Sequence, residues 1–283
     1  MKKYLLILFS FISLTSYGQD STTVCVKVPT PACAPVYVHD TIEVVKDSKG
    51  IIEVYILAGQ SNALGYNQGT VSVPDSLNGP LEGCLIYNVS TDSIETLQYG
   101  VNNQAYSASP AKHGIELAFM QKRYQITGDT AVMIKYAVSG SYIYKMPTLQ
   151  DWNVGSTKEL YWKLRQNINA GLGWVHQMGY TPRITLIWMQ GEQDSDSLNK
   201  ATDHAKNTLN LFNRIKSDIP ECEDMQVIIV KTRNISATNS VYDVNVRTGQ
   251  VQLGIDYPSW IQVVSGDDID TTNNVHYTSN GIS

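Results

Sequence analysis

The pattern of apolar and polar positions alternates between two periods. Short runs rich in β-branched and aliphatic residues predict buried strands at Ile51–Ala58, Ala131–Val138, Arg183–Met189, Met225–Thr232 and Ile261–Ser265, with a further short strand at Cys84–Asn88. Between them lie longer stretches with apolar residues three and four apart, and Gly114–Gln125, Lys158–Met178, Leu198–Ile219 and Asp243–Gly254 read as helices. The second carries Leu160, Leu164, Ile168, Leu172 and Val175 on one face and is closed by Gly179; the third is stopped by Pro220. Strands alternating with such helices predict a parallel sheet covered on both faces.

The N-terminal stretch follows neither period. Met1-Lys2-Lys3 precedes an apolar run of 11 residues, Tyr4–Leu14, short of the roughly 20 that a membrane span needs. Ser16 and Gly18 then supply small residues at a cleavage site. Residues 1–18 are therefore expected to be a signal peptide and the mature chain secreted or periplasmic, where disulfides can form. Residues 19–50 hold Pro29, Pro31 and Pro35 and read as an extended linker or stalk, with Tyr37–Val45 a candidate edge strand. Cys25 and Cys33 lie close enough in sequence for a local disulfide, while Cys84 and Cys222 read as buried thiols. The folded domain is expected over 51–283.

Composition narrows the function. Of the 283 residues 42% are apolar and 17% charged, below the usual charged share of about 25%, which excludes charge-driven disorder over most of the chain. The net charge of −5 comes without a basic stripe, so a nucleic-acid partner is not expected. No apolar run after the leader is long enough to span a membrane. P-loop, dinucleotide fingerprint, H-E-x-x-H and G-x-S-x-G motifs are missing, and no Cys/His spacing suggests zinc. No cofactor and no metal are implied.

In an open parallel sheet, ligands bind beyond the carboxyl ends of the strands. Four polar clusters fall there: Gly59-Gln60-Ser61-Asn62, Ser139-Gly140-Ser141, Gln190-Gly191-Glu192-Gln193-Asp194, and the acidic loop after Ser265 leading to Asn273-Asn274-Val275-His276. Ser61 reads either as a helix cap or as a nucleophile. A serine hydroxyl needs a base, and of His39, His113, His176, His204 and His276 only the last lies in a loop after a strand with acids upstream. Gly140 and Gln190 are candidate oxyanion donors beside the Ser61 N–H. Glu192 and Asp194 could instead form a glycosidase pair, but that reading leaves Ser61 and His276 idle.

These blocks resemble a known family. Gly59-Gln60-Ser61-Asn62, Trp188–Asp194, Asn274–Thr278, the segment Ser109–Leu117 and the Arg247/Gln250 pair are similar to the sialate O-acetylesterase-like domain. That group includes the sixth carbohydrate esterase family, of acetylxylan esterases, within the SGNH hydrolases. The resemblance implies a flavodoxin-like three-layer α/β/α sandwich and removal of acetyl groups from polysaccharide or sialic acid. It implies Ser61 as nucleophile, His276 as base, and Gly140 and Gln190 as oxyanion contributors. The family's usual Asp three residues before the His is here Asn273, which leaves Glu192 to pair with His276. Asn62, Asp194, Asn273 and Asp270 are supporting candidates. The family's closing helix after the His has no counterpart before Ser283, which leaves open whether the chain is a truncated product or fragment. The expected partner is an acetylated carbohydrate. The rival reading is a weak or inactive esterase-fold module that binds carbohydrate.

Overall fold

The computed structural model describes residues 24–27, 37–40, 49–65, 73–103, 112–147, 151–157, 159–234, 242–269 and 275–278. The expected signal peptide, Cys33, Asp270 and Asn273 lie outside the described residues. The chain divides into two units, Met1–Ser48 and Lys49–Ser283.

In the first unit, strand β1 (Val24–Lys27) pairs antiparallel with β2 (Tyr37–Asp40), Cys25 opposite His39. The segment expected to be a linker with an edge strand thus contains a hairpin ladder of its own.

The second unit is built on seven strands: β3 (Ile51–Gly59), β4 (Pro80–Asn88), β5 (Ser93–Gln98), β6 (Ala131–Ala137), β7 (Thr181–Met189), β8 (Gln226–Lys231) and β9 (Ile261–Ser265), in spatial order β5-β4-β6-β3-β7-β8-β9. All neighbours pair in parallel except β4 and β5. Strand β5 was not expected. Ser93-Ile94-Glu95-Thr96 alternates too weakly to stand out, and it forms because the turn at 89–92 folds the chain back onto β4.

The helices are α1 (Ser61–Leu64), α2 (Glu116–Thr127), α3 (Leu160–Gln177), α4 (Leu198–Asp218) and α5 (Asp243–Asp256). On one face of the sheet, Val54 and Ile56 of β3 and Trp188 of β7 pack with Leu164, Phe212 and Leu253 of α3, α4 and α5. On the other, Leu57, Met133 and Ile187 pack with Leu64 of α1 and Leu117 and Met120 of α2. The expected three-layer α/β/α sandwich is what forms. Period-2 alternation inside each strand serves both layers, because successive side chains point to opposite faces. No helix among the described residues is long and apolar enough to cross a membrane.

The strand order locates the site. From β3 the chain moves to one side for β4, β5 and β6, then crosses to the other for β7, β8 and β9. The reversal falls at β3, and such a switch point opens a crevice at the carboxyl ends of the central strands.

Candidate active site

The turn after β3 is forced by close approach. Gly59 has φ +141°, and a Cβ there would lie 2.0 Å from the Met189 carbonyl oxygen, so only glycine fits. The chain turns at once: Gln60 N–H donates to Met189 O (2.9 Å) and Ser61 opens α1. The residue in the capping position is Gln60, so Ser61 is not a helix cap. Gln60 reaches across the rim, its Oε1 accepting the Gly191 and Gln193 N–H groups, both at 3.3 Å.

Ser61 lines a cleft of about 300 Å³ together with Ser139, Gly140, Glu192, Gln193, Val275 and His276. Three of the four clusters come from β3, β6 and β7, the strands at the switch point, and the fourth from the segment after β9. Sequence position alone had put Ser61, Gly140, Glu192 and His276 on one rim, and they share this cleft.

Gly140 sits in a left-handed turn, φ +69°, on a heavily pinned loop. Val138 N–H donates to Gly59 O (3.0 Å), and the Ser141 hydroxyl donates to Val138 O (2.7 Å) while accepting from Trp152 Nε1 (2.8 Å). Trp152 is itself buried edge-on against Trp188, ring centroids 5.3 Å apart. Asp194 accepts the Ile143 and Tyr144 N–H groups, each at 2.9 Å. Its pKa is pushed up to about 6, burial outweighing these hydrogen bonds. Asp194 thus braces the loop that presents Gly140 and does not line the cleft.

Gln190 requires a correction. Its side chain is fully buried and absent from the cleft lining. Its Nε2 donates to Ser141 O (3.1 Å) and to Asp194, its Oε1 faces His204 Nε2 (3.2 Å), and its carbonyl accepts from Gln250 Nε2 (2.9 Å). An amide group has two N–H donors, and both are spent inward. Gln190 is a brace beneath the rim and has no donor left for an oxyanion.

Glu192 lines the cleft but is tied elsewhere than expected. Its Oε1 accepts from Asn62 Nδ2 (2.7 Å), and its Oε2 is buried without a hydrogen-bond partner among the described residues. Burial holds this carboxyl above the usual carboxylate range; the backbone of its own turn and Asn62 oppose the shift, and the Asp194 charge adds to it. Asn62 also donates to Val275 O (3.0 Å) and accepts from Tyr277 N–H (3.2 Å). The residue beside the serine therefore grips the chain on both sides of His276. Burial first, and then the Lys112 ammonium, hold the His276 pKa below its ordinary value.

The acidic loop also has structural occupations. Asp267 receives both Nη groups of Arg247 (2.7 and 2.9 Å) and Lys231 Nζ (3.1 Å), and its pKa is lowered chiefly by the Arg247 hydrogen bonds. Gln250, three residues on from Arg247, accepts from Thr232 N–H (3.0 Å). The Arg247/Gln250 pair thus anchors the start of the loop toward His276 and the base of Gln190.

The sheet order and the layers on its two faces define a three-layer α/β/α fold with its crevice at the β3 switch point. The chain belongs to the carbohydrate esterase, sialic acid-specific acetylesterase family, whose model matches residues 51–283. Among solved structures it is similar to a protein from Arabidopsis thaliana (TM-score 0.65, 19% identity, 81% of this chain and 92% of that one) and to NanS (0.62, 17%, 84% and 94%). It is also similar to a carbohydrate acetylesterase from Xanthomonas citri (0.52, 14%, 81% and 53%), of which it spans about half. A comparison with curated protein sequences gives no significant match.

Proposed function

We propose that this protein is an exported carbohydrate O-acetylesterase working through an acyl-serine intermediate. The observation that carries the reading is the cleft in which Ser61, Gly140 and His276 meet at the switch point. Ser61 Oγ adds to the acetyl carbonyl carbon, and the displaced electron pair becomes the oxyanion. His276 accepts the hydroxyl proton. Collapse restores the carbonyl and expels the sugar oxygen, which takes that proton. Water, deprotonated by the same histidine, adds to the acyl-serine, and acetate leaves as Ser61 regains its proton. The N–H groups of Ser61 and Gly140 face the developing charge, and the pinned loop holds Gly140 there without reorganisation.

The substrate class follows from the family's name and from the polar lining of the cleft. Export rests on the leader-like residues 1–18.

The test is hydrolysis of p-nitrophenyl acetate and of an acetylated sugar. Wild type should turn over both, and Ser61→Ala should fold with an unchanged melt and lose activity by on the order of 10⁴ or more. A Ser61→Ala protein within about tenfold of wild type removes the serine from the mechanism. A wild type that binds acetylated glycan without hydrolysing it supports the binding module instead.

A further inference from the structure

The rim of the cleft carries fixed hydrogen-bond acceptors that the acyl-transfer steps leave unused. Gln193 and Asp196 line it with Ser61, Gly140 and His276. The Gln193 N–H is held by Gln60 Oε1 (3.3 Å), and its Nε2 meets the Tyr142 hydroxyl at 2.9 Å. That hydroxyl also lies 3.1 Å from Asp196 Oδ2, and a carboxylate in an ion pair only accepts. The tyrosine proton therefore goes to Asp196, and the tyrosine oxygen accepts from Gln193 Nε2. This leaves Gln193 Oε1 turned toward the Gly140 turn, where a Cβ built on the glycine would lie 3.9 Å from it. No group among the described residues donates to that oxygen.

Asp196 is held as firmly. Lys200 Nζ lies 2.9 Å from each of its oxygens and 4.3 Å from the Tyr142 ring centroid. An ionised carboxylate accepts at roughly four sites. Lys200 takes one on each oxygen and Tyr142 a second on Oδ2, which leaves one on Oδ1. The Asp196 side chain is 40% exposed and borders the cleft. An acetyl group has no N–H or O–H to give, so neither acceptor serves the acyl half of the ester. Both match hydroxyl donors on the alcohol half. A hydrocarbon alcohol seated there would strip water from the two acceptors without replacing its hydrogen bonds.

We propose that Gln193 Oε1 and the Asp196 carboxylate accept hydrogen bonds from free hydroxyls of the sugar next to the acetylated position. The cleft then selects partly acetylated sugars over esters that lack a neighbouring hydroxyl. Gln193 and Asp196 are specificity-determining residues that touch the leaving alcohol. Tyr142 and Lys200 are positioning residues that keep Oε1 and Oδ1 facing the cleft. The proposal rests on the acyl-serine reading above and defines the half of the substrate which that reading leaves open.

The test uses the full chain and a matched pair of esters, the monoacetate of a vicinal cyclohexanediol and cyclohexyl acetate. Each enzymatic rate is divided by that ester's hydroxide-catalysed rate, which removes the intrinsic effect of the hydroxyl. Wild type should favour the diol monoacetate in kcat/KM by on the order of 10–10². Gln193→Met, which keeps the length without the acceptor, and Asp196→Ala should each cut that preference by about tenfold, chiefly through a higher KM for the diol ester. Tyr142→Phe lets the Gln193 amide turn over and should cut the preference by a smaller factor. A loss of stability alone would not move this ratio, because it scales both esters alike. If wild type hydrolyses both esters through Ser61 within about threefold of each other, or if either variant, folded, keeps the wild-type preference, the proposal falls and the acyl-serine reading stands. If wild type shows no Ser61-dependent hydrolysis of the pair, both fall together.

Discussion

Asn62 illustrates how much one side chain can decide. It is nearly fully buried and uses its amide on Glu192, Val275 and Tyr277. Removing it should let the His276 segment drift from Ser61, and displacement on the scale of 1 Å costs on the order of 10² in rate. Asn62→Ala is therefore expected to lose about that much kcat. Glu192→Gln keeps an oxygen acceptor for Asn62 and should stay within about threefold of wild type, whereas Glu192→Ala should behave like Asn62→Ala. A severe loss in Glu192→Gln would instead restore Glu192 as the charged partner of His276. Lys112 gives a second test at this scale. A base works only when unprotonated, and a pKa below the ordinary value of about 6.5 keeps His276 available under mildly acidic conditions. The acid limb of kcat/KM should accordingly fall below pH 6.5. Lys112→Gln removes a positive charge that disfavours the imidazolium, so it should move that limb to higher pH; a limb that does not move would separate Lys112 from the base. That Ser61, Gly140 and His276 would share one rim could be read from the sequence, because strand ends announce themselves through apolar runs and glycine turns. The partners of Gln190, Glu192 and Asn62 could not, since which way an amide points depends on contacts up to 215 residues apart.

Among the described α-helices, α1 is the shortest, and it carries Ser61. It is held from below by Lys135, a lysine inside β6 that is wholly buried. Lys135 Nζ donates to Leu64 O and Asn103 O, each at 3.1 Å, and pairs with Glu116 Oε2 at 2.9 Å. Glu116 in turn accepts the Gly114 N–H and the Asn103 amide. One charge pair thus fastens α1, β6 and the first turn of α2 together. Removing one member of a buried pair leaves the other stranded, at a cost of about 3–5 kcal/mol. Lys135→Met should lower stability to denaturant by that order and reduce turnover through the loosened α1, and a loss below about 1 kcal/mol would mean that the pair only breaks even with an apolar contact. Periodicity made the strand legible but passed over this lysine, because a single polar residue in an apolar run looks the same whether it is exposed or clamped. It also missed β5, whose existence depends on the partner strand rather than on its own composition.

For the molecule as a whole, the sequence indicated an alternating α/β chain with its chemistry at one rim, and it did so because buried parallel strands have little choice of composition. It did not reveal the hairpin in the first unit, where the Pro-rich stretch suggested only extended backbone. The crossover at β3 has an effect on timing. The clasp that completes the site joins Asn62 to Tyr277 across 215 residues. At roughly 5–20 residues per second of synthesis, the serine would be made some tens of seconds before its base. On the acyl-serine reading, the nascent chain carries throughout that interval a serine hydroxyl without its base. A chain stopped at residue 274 should reproduce that interval permanently: sheet-like circular dichroism, no acetate release, and no labelling of Ser61. On the acyl-serine reading, competence then waits on the synthesis of His276, and the order of the residues along the chain sets when the serine can act.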